Sequence, residues 1–135
     1  MAPPLPLVLI VEDDEDIRDS LADFLVDHGY RTAGAVNGRD ALDRLGAAAA
    51  LPCAIILDLM MPIMDGRTFR EMQLQTPALA KIPVILVTAH HETSQSWIDP
   101  TLADRLPKPL NLMALLETLQ RICSGAARSP GLSPA

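Results

Sequence analysis

The stretch Cys53 to Gly66, CAIILDLMMPIMDG, most constrains what this chain can fold into. Cys53-Ala54-Ile55-Ile56-Leu57 is an unbroken apolar run rich in β-branched isoleucine, with no polar alternation. That pattern predicts a central strand buried on both faces, as in a parallel sheet. Asp58 is the first residue past the run, where ligand sites of open α/β sheets form. The chain then breaks at Pro62 and again at Asp65-Gly66. A lone aspartate there is commonly a turn former or helix cap. Its meaning depends on what stands at the ends of the other strands.

Four further strands can be placed. Leu7-Val8-Leu9-Ile10-Val11 runs directly into Glu12-Asp13-Asp14-Glu15-Asp16. Acids suit the first turn of a helix, which accounts for Asp14, Glu15 and Asp16 but leaves Glu12 and Asp13 at the strand mouth. The helix that follows carries Ile17, Leu21, Phe24 and Leu25 at helical spacing and should stop near His28-Gly29. Tyr30 to Val36 reads as a weaker strand toward the sheet edge, because of Gly34. Asn37-Gly38 is a turn, and a helix over 39–50 points Ala41, Leu42 and Leu45 inward. A short helix over 67–75 is expected to anchor through Phe69 and Met72 and to be ended by Pro77. Ile82 to Val87 is the fourth strand, closing at Thr88-Ala89, with its proline at the start, where proline is tolerated. The stretch His90 to Asp104 is polar and interrupted by Asp99-Pro100. A short fifth strand falls around Arg105-Leu106, before Lys108-Pro109. The last helix runs from an Asn111 cap to Ile122, with Leu112, Leu115, Leu116, Leu119 and Ile122 as its stripe. Residues 1–6 read as a loose lead, and 125–135, rich in Gly, Pro, Ser and Ala, as a disordered tail.

Strand and helix alternating five times predict a parallel sheet with helices on both faces. The expected architecture is a three-layer, doubly wound (βα)5 flavodoxin-like sandwich with strand order 2-1-3-4-5. Its 135 residues fit one domain. A net charge of −6 leaves no basic patch for nucleic acid. No apolar run approaches the length of a membrane span, and the start lacks a signal peptide's basic region. A cytoplasmic protein is expected, with Cys53 and Cys123 as reduced core residues rather than a disulfide.

In that strand order the mouths of strands 1, 3 and 4 adjoin. Glu12, Asp13 and Asp58 would then crowd one site, with Thr88 and Lys108 beside them. Two unit charges at about 4 Å repel by about 4 kcal/mol at an effective dielectric near 20, so the cluster calls for a cation. Hard carboxylate oxygens suit Mg2+, which binds through a few carboxylates, waters and a phosphate. With Lys108 as a second positive charge and Thr88 as a hydroxyl donor, the set suits phosphoryl transfer to Asp58 as nucleophile.

The segments LVLIVEDDEDIR, AIILDLMMPIMDG, IPVILVTA and LPKPL together resemble the receiver domain of two-component response regulators. The resemblance spans roughly 7–124 and implies a CheY-like receiver there. It implies Asp58 as phosphoacceptor and metal ligand, Asp13 as direct Mg2+ ligand and Glu12 acting mainly through water. The Met60 backbone carbonyl would complete the protein's share of the metal shell, with Mn2+ able to replace Mg2+. Thr88 would turn toward the phosphoryl group and Lys108 would bind it. Implied partners are a sensor histidine kinase or histidine phosphotransfer protein and a downstream protein target. The chain would be no enzyme beyond assisting its own phosphorylation and dephosphorylation, and would act as a stand-alone regulator. One departure stands out. Three residues before the lysine the family usually carries Tyr or Phe, which relays the switch to the output face, and here stands Arg105. A non-standard output face using Arg105 or Trp97 is therefore expected. Two alternatives remain: an unphosphorylated pseudo-receiver serving as an interaction module, and a phosphate shuttle to a histidine phosphotransfer protein. A dehalogenase-type phosphatase would need an acid two residues after Asp58, where Met60 stands. A nucleotide-binding enzyme would need a glycine-rich loop where this chain has EDDED.

Overall fold

The computed structural model describes residues 5–89 and 99–127. The elements in chain order are β1 (Leu7–Val11), α1 (Glu15–Asp27), β2 (Arg31–Ala35), α2 (Gly38–Ala47) and β3 (Ala54–Asp58). They continue with α3 (Gly66–Leu74), α4 (Pro77–Ala80), β4 (Val84–Thr88), β5 (Asp104–Pro107) and α5 (Leu112–Ala127). All four strand pairings are parallel, and the sheet order is β2-β1-β3-β4-β5. This is the doubly wound order expected from the apolar runs.

Alternate residues of each strand feed opposite layers, as the period of two in a strand requires. Val8, Ile10, Ala54, Ile56, Ile85 and Val87 meet Leu21 and Leu25 of α1 and Leu115, Leu116 and Leu119 of α5. Leu9, Val11, Ile55, Leu57, Val84 and Leu86 face Ala41 and Leu45 of α2, Phe69 of α3 and Leu79 of α4. β3 and β4 are buried at every position, so their carboxyl ends are held rigidly. β2 lies at the edge, and its Gly34 leaves room for the Arg18 stem, since an added Cβ would stand 3.0 Å from Arg18 Cδ.

Polar caps set the helix starts. Asp14, Asn37 and Asp65 each accept a hydrogen bond from an amide three residues on, opening α1, α2 and α3. Asn111 does the same for α5 through the amide of Ala114. α1 closes at His28 and is followed by Gly29 at φ 93°, a left-handed conformation that suits glycine.

Four expectations are corrected. First, Met72 is exposed on α3, while Phe69, Arg70 and Gln73 form its buried side. Arg70 donates to Asp99 (2.8 Å), to Gln73 (2.8 Å) and to the carbonyl and hydroxyl of Thr101 (3.3 and 2.8 Å). Gln73 in turn donates to the carbonyls of Leu79 and Ile82. These polar groups are buried because each has partners, which is the condition for burial. Second, Pro77 opens the short helix α4 rather than only ending α3, because its fixed φ and missing N–H fit a first helical turn. Third, Cys53 and Cys123 are joined in a disulfide. The parallel topology brings the start of β3 beside the end of α5, with Cα atoms 5.4 Å apart, inside the normal range for a bridge. Fourth, α5 continues to Ala127, so 125–127 are helical rather than part of a tail. Trp97 and His90 lie outside the described residues.

Candidate phosphoacceptor and metal site

β1 and β3 are hydrogen-bonded neighbours with Val11 opposite Leu57. That register sets Glu12 and Asp13, one and two residues past Val11, beside Asp58. Carboxylate oxygens of Glu12, Asp13 and Asp58 all lie within 4.8 Å of one another. Glu12 and Asp58 are buried and Asp13 is exposed. Pairing on the other side of β3 sets Asp58 opposite Val87, next to Thr88, while β5 brings Pro107 opposite Thr88 and so delivers Lys108. The Lys108 ammonium donates to Asp58 Oδ1 at 2.9 Å, and its amide donates to the Thr88 carbonyl at 2.8 Å. The Lys108-Pro109 bond is cis.

The loop after Asp58 is tightly held. The Gly66 amide donates to the Leu59 carbonyl at 2.8 Å, and the Gly38 amide to the Met64 carbonyl at 2.9 Å. A Cβ at Gly66 would stand 2.5 Å from the Asp58 carbonyl oxygen, so only glycine permits this close approach without moving the backbone that carries Asp58. Ile63, at the tip, is exposed with φ 68°. Met60 belongs to the same loop, its side chain turned to solvent.

The electrostatics fit a cation. Burial pushes the Glu12 carboxyl up to about 8, helped by hydrogen bonding with Asp13 and by the charge of Asp58 and opposed by the Asp14 amide. One proton thus relieves the crowding that a metal ion would otherwise neutralise. Arg18 is close by but donates to the Glu12 backbone carbonyl (2.7 Å) rather than to its carboxylate. A second observation points to a ligand. The Thr88 hydroxyl is buried yet has no hydrogen-bond partner among the described residues, and buried polar groups are normally paired. Hard oxygen donors, one exposed carboxylate and an orphaned hydroxyl suit Mg2+ together with a phosphoryl group. A cleft of about 260 Å³ lined by Ile17, Leu21, Pro109 and Leu110 reaches Glu12, Asp58 and Lys108, giving access from the α1 side.

All four residues expected at the strand mouths besides Glu12 (Asp13, Asp58, Thr88 and Lys108) thus converge with it. Arg105 does not join them. It lies half-buried on the edge strand β5, opposite Leu86, and its amide donates to the Asp104 carboxylate at 2.7 Å. The sequence reading missed Asp104 itself, which accepts from the buried Thr118 hydroxyl at 2.8 Å and so ties β5 to α5. Its only sequence signal is a polar residue at the start of a strand.

Residues 8–120 match the response regulator receiver domain family. The response regulator MprA of Mycolicibacterium vanbaalenii is 35% identical over 117 residues, which cover 85% of this chain and 49% of that protein. The chain spans about half the length of the curated relatives it matches. Among solved structures, the signal receiver domain of a signal transduction histidine kinase from Syntrophus aciditrophicus superposes with a TM-score of 0.77 at 31% identity. That likeness covers 96% of this chain and 98% of the other. Chemotaxis response regulator CheY4 of Vibrio cholerae gives 0.75 at 30% identity, covering 87% and 98%. With the fold, the acid cluster and these likenesses in agreement, the chain belongs to the response regulator receiver domains, the signalling phosphoacceptors of two-component systems.

Proposed function

We propose that Asp58 accepts a phosphoryl group from a phosphohistidine on a sensor histidine kinase or a histidine phosphotransfer protein, and that the adduct changes binding of a downstream protein in the cytoplasm. The observation that carries this reading is Asp58 itself, buried, paired with Lys108 at 2.9 Å and clustered with Glu12 and Asp13. In the transfer, a carboxylate oxygen of Asp58 attacks phosphorus. The donor's P–N bond breaks, its electron pair staying on the imidazole nitrogen, and an O–P bond forms. Glu12, Asp13, Asp58 and the Met60 carbonyl would hold Mg2+, or Mn2+ in its place, which supplies charge neutralisation at the phosphoryl oxygens. The Lys108 ammonium holds Asp58 now and can pass to a phosphoryl oxygen once the carboxylate is esterified. The Thr88 hydroxyl has a hydrogen bond to give and no acceptor among the described residues. The same groups would assist hydrolysis of the adduct and serve no other substrate.

Intact mass after incubation with acetyl phosphate tests this. One phosphoryl group is expected with Mg2+, none in a chelator and none in Asp58→Asn. A wild-type chain that takes no adduct and whose melting temperature Mg2+ does not change would overturn the reading in favour of a pseudo-receiver.

We also propose a non-standard output face. Arg105 stands where the family's aromatic relay stands, and a guanidinium keeps its head wet while its stem packs. Structures with and without a phosphoryl mimic are expected to differ in the Arg105 side chain and in β5. An Arg105 that stays in place while Thr88 moves would rule this out.

A further inference from the structure

The Cys53–Cys123 disulfide lies on the α1 and α5 side of the sheet, at the opposite end of β3 from Asp58, and takes no part in the chemistry above. Cys53 directly precedes β3, and its amide is fixed to the Leu7 carbonyl at 2.8 Å, so this end of the bridge is anchored in the sheet. Cys123 is fully buried on α5. Among the described side chains, the other contacts that hold α5 lie before it: Leu115, Leu116 and Leu119 in the core, Thr118 on Asp104 (2.8 Å) and Arg121 on Asp104 (3.7 Å). The helix runs four residues further, to Ala127. Among the described side chains the bridge is therefore the last tether along α5.

We propose that this bridge is a reversible clasp, opened by a protein dithiol of the thioredoxin class, that frees the C-terminal turn of α5 while the rest of the domain stays folded. The two sulfurs differ in a way that gives the exchange a direction. Cys53 is the more exposed residue of the pair and Cys123 is fully enclosed, so in this scheme Cys53 is the sulfur attacked and Cys123 is the leaving group. The reductant's first thiolate bonds to Cys53 Sγ, the Sγ–Sγ bond breaks, and Cys123 leaves as a thiolate that takes up a proton. The reductant's second thiolate then attacks its own sulfur in the mixed disulfide. Cys53 departs as a thiolate and is protonated. Two electrons pass from the dithiol to the bridge, the reductant ends as a disulfide, and the reverse exchange closes the clasp.

The response stays local because a reduced Cys123 remains a small apolar group in the same core, and Thr118 and Arg121 still hold α5 to β5. What is lost is the cross-link over a sequence separation of 70, which restrains the unfolded chain, and the fixed direction of the helix end. This holds whether or not Asp58 is ever phosphorylated.

Alkylation under native conditions, with hydrogen exchange read by mass, tests the proposal on the full chain. Protein purified without reductant is expected to take no label, and after reduced thioredoxin one at Cys53 under native conditions and a second at Cys123 on denaturation, with a trapped mixed disulfide at Cys53. Amide exchange over residues 122–127 should rise at least tenfold while β1, β3 and β4 stay protected. The melting temperature should fall by roughly 10 °C, and oxidised thioredoxin should restore both. Cys53→Ala should show the fast exchange with or without reductant. Two free thiols in the chain purified without reductant would overturn the proposal. So would a bridge that resists thioredoxin until the chain unfolds, or reduction that leaves exchange at 122–127 unchanged.

Discussion

Lys108→Met is expected to slow phosphorylation of Asp58 by about a hundredfold, equivalent to about 2.7 kcal/mol of barrier, while leaving one adduct per chain on long incubation. The lysine acts in two opposed ways. Its ammonium lies 2.9 Å from Asp58 Oδ1 and stabilises the free carboxylate, which by itself would make Asp58 a poorer nucleophile. It also stands where charge develops on the phosphoryl oxygens, and there it stabilises the transition state. Removing a preorganised group of the second kind typically costs 10² to 10³ in rate. Lys108 is one-third exposed while Asp58 is nearly sealed, so water screens part of its charge and the lower end of that range is the one expected. Methionine keeps the stem that packs near Pro109, so the fold is retained. Adduct formation from acetyl phosphate at fixed Mg2+, followed by intact mass, gives the rate. A variant as fast as wild type would mean that Lys108 serves only to hold the unmodified carboxylate. The same variant has a second expected signature. Without Lys108, Asp58 keeps its two acidic neighbours within 4.8 Å and loses its ammonium partner, so added Mg2+ should raise the melting temperature more than it does for wild type.

The parts of this molecule that were legible in the chain are those that follow from local rules. Apolar runs such as VILV and AIIL have no amphipathic face to offer, so they must be buried on both sides, and alternation with helices then dictates parallel pairing. Once the order 2-1-3-4-5 follows, the position of Glu12, Asp13, Asp58, Thr88 and Lys108 at one end of the sheet is a matter of register. The illegible parts depend on partners distant in sequence. On α3 both Met72 and Gln73 are at helical spacing from Phe69, and hydropathy favours Met72. Gln73 is nevertheless the buried one, because the carbonyls of Leu79 and Ile82 accept its amide and Arg70 donates to its oxygen. The disulfide was missed for a related reason. Compartment and composition argued for free thiols, while the pairing depends on where α5 crosses the start of β3. The state of Thr88 was half legible. Its place at a strand mouth could be read, but that it finds no partner among the described residues required the packed neighbours.

The same α3 network carries the largest stability effect expected here. Arg70→Met should lower the free energy of unfolding by about 3–5 kcal/mol, the usual cost of removing one partner from a buried ion pair. Arg70 and Asp99 are 4% and 8% exposed, so the carboxylate left behind has little water to turn to. Thr101 and the Gln73 oxygen lose a donor as well. Arg70→Met combined with Asp99→Leu should recover much of the loss, because the uncompensated charge is gone and well-packed apolar groups replace a desolvated pair. Recovery stays incomplete because Gln73 keeps an acceptor that costs about 1–3 kcal/mol to leave unpaired. Acid supplies an independent check. Burial acts to raise the Asp99 carboxyl, but hydrogen bonds from Thr101 and the Arg70 guanidinium outweigh it and hold the group below its ordinary range. A carboxyl depressed in the folded state adds stability above its unfolded pKa, and that stability is lost as pH falls through the lower folded value. Wild type should therefore lose this contribution below about pH 4. Arg70→Met keeps only the Thr101 hydrogen bonds to hold this carboxyl down and so has less to lose, and urea unfolding should show the gap between the two proteins narrowing as pH falls from 7 to 3. A gap that stays constant over that range would mean that Arg70 stabilises by filling space rather than through the charge of Asp99.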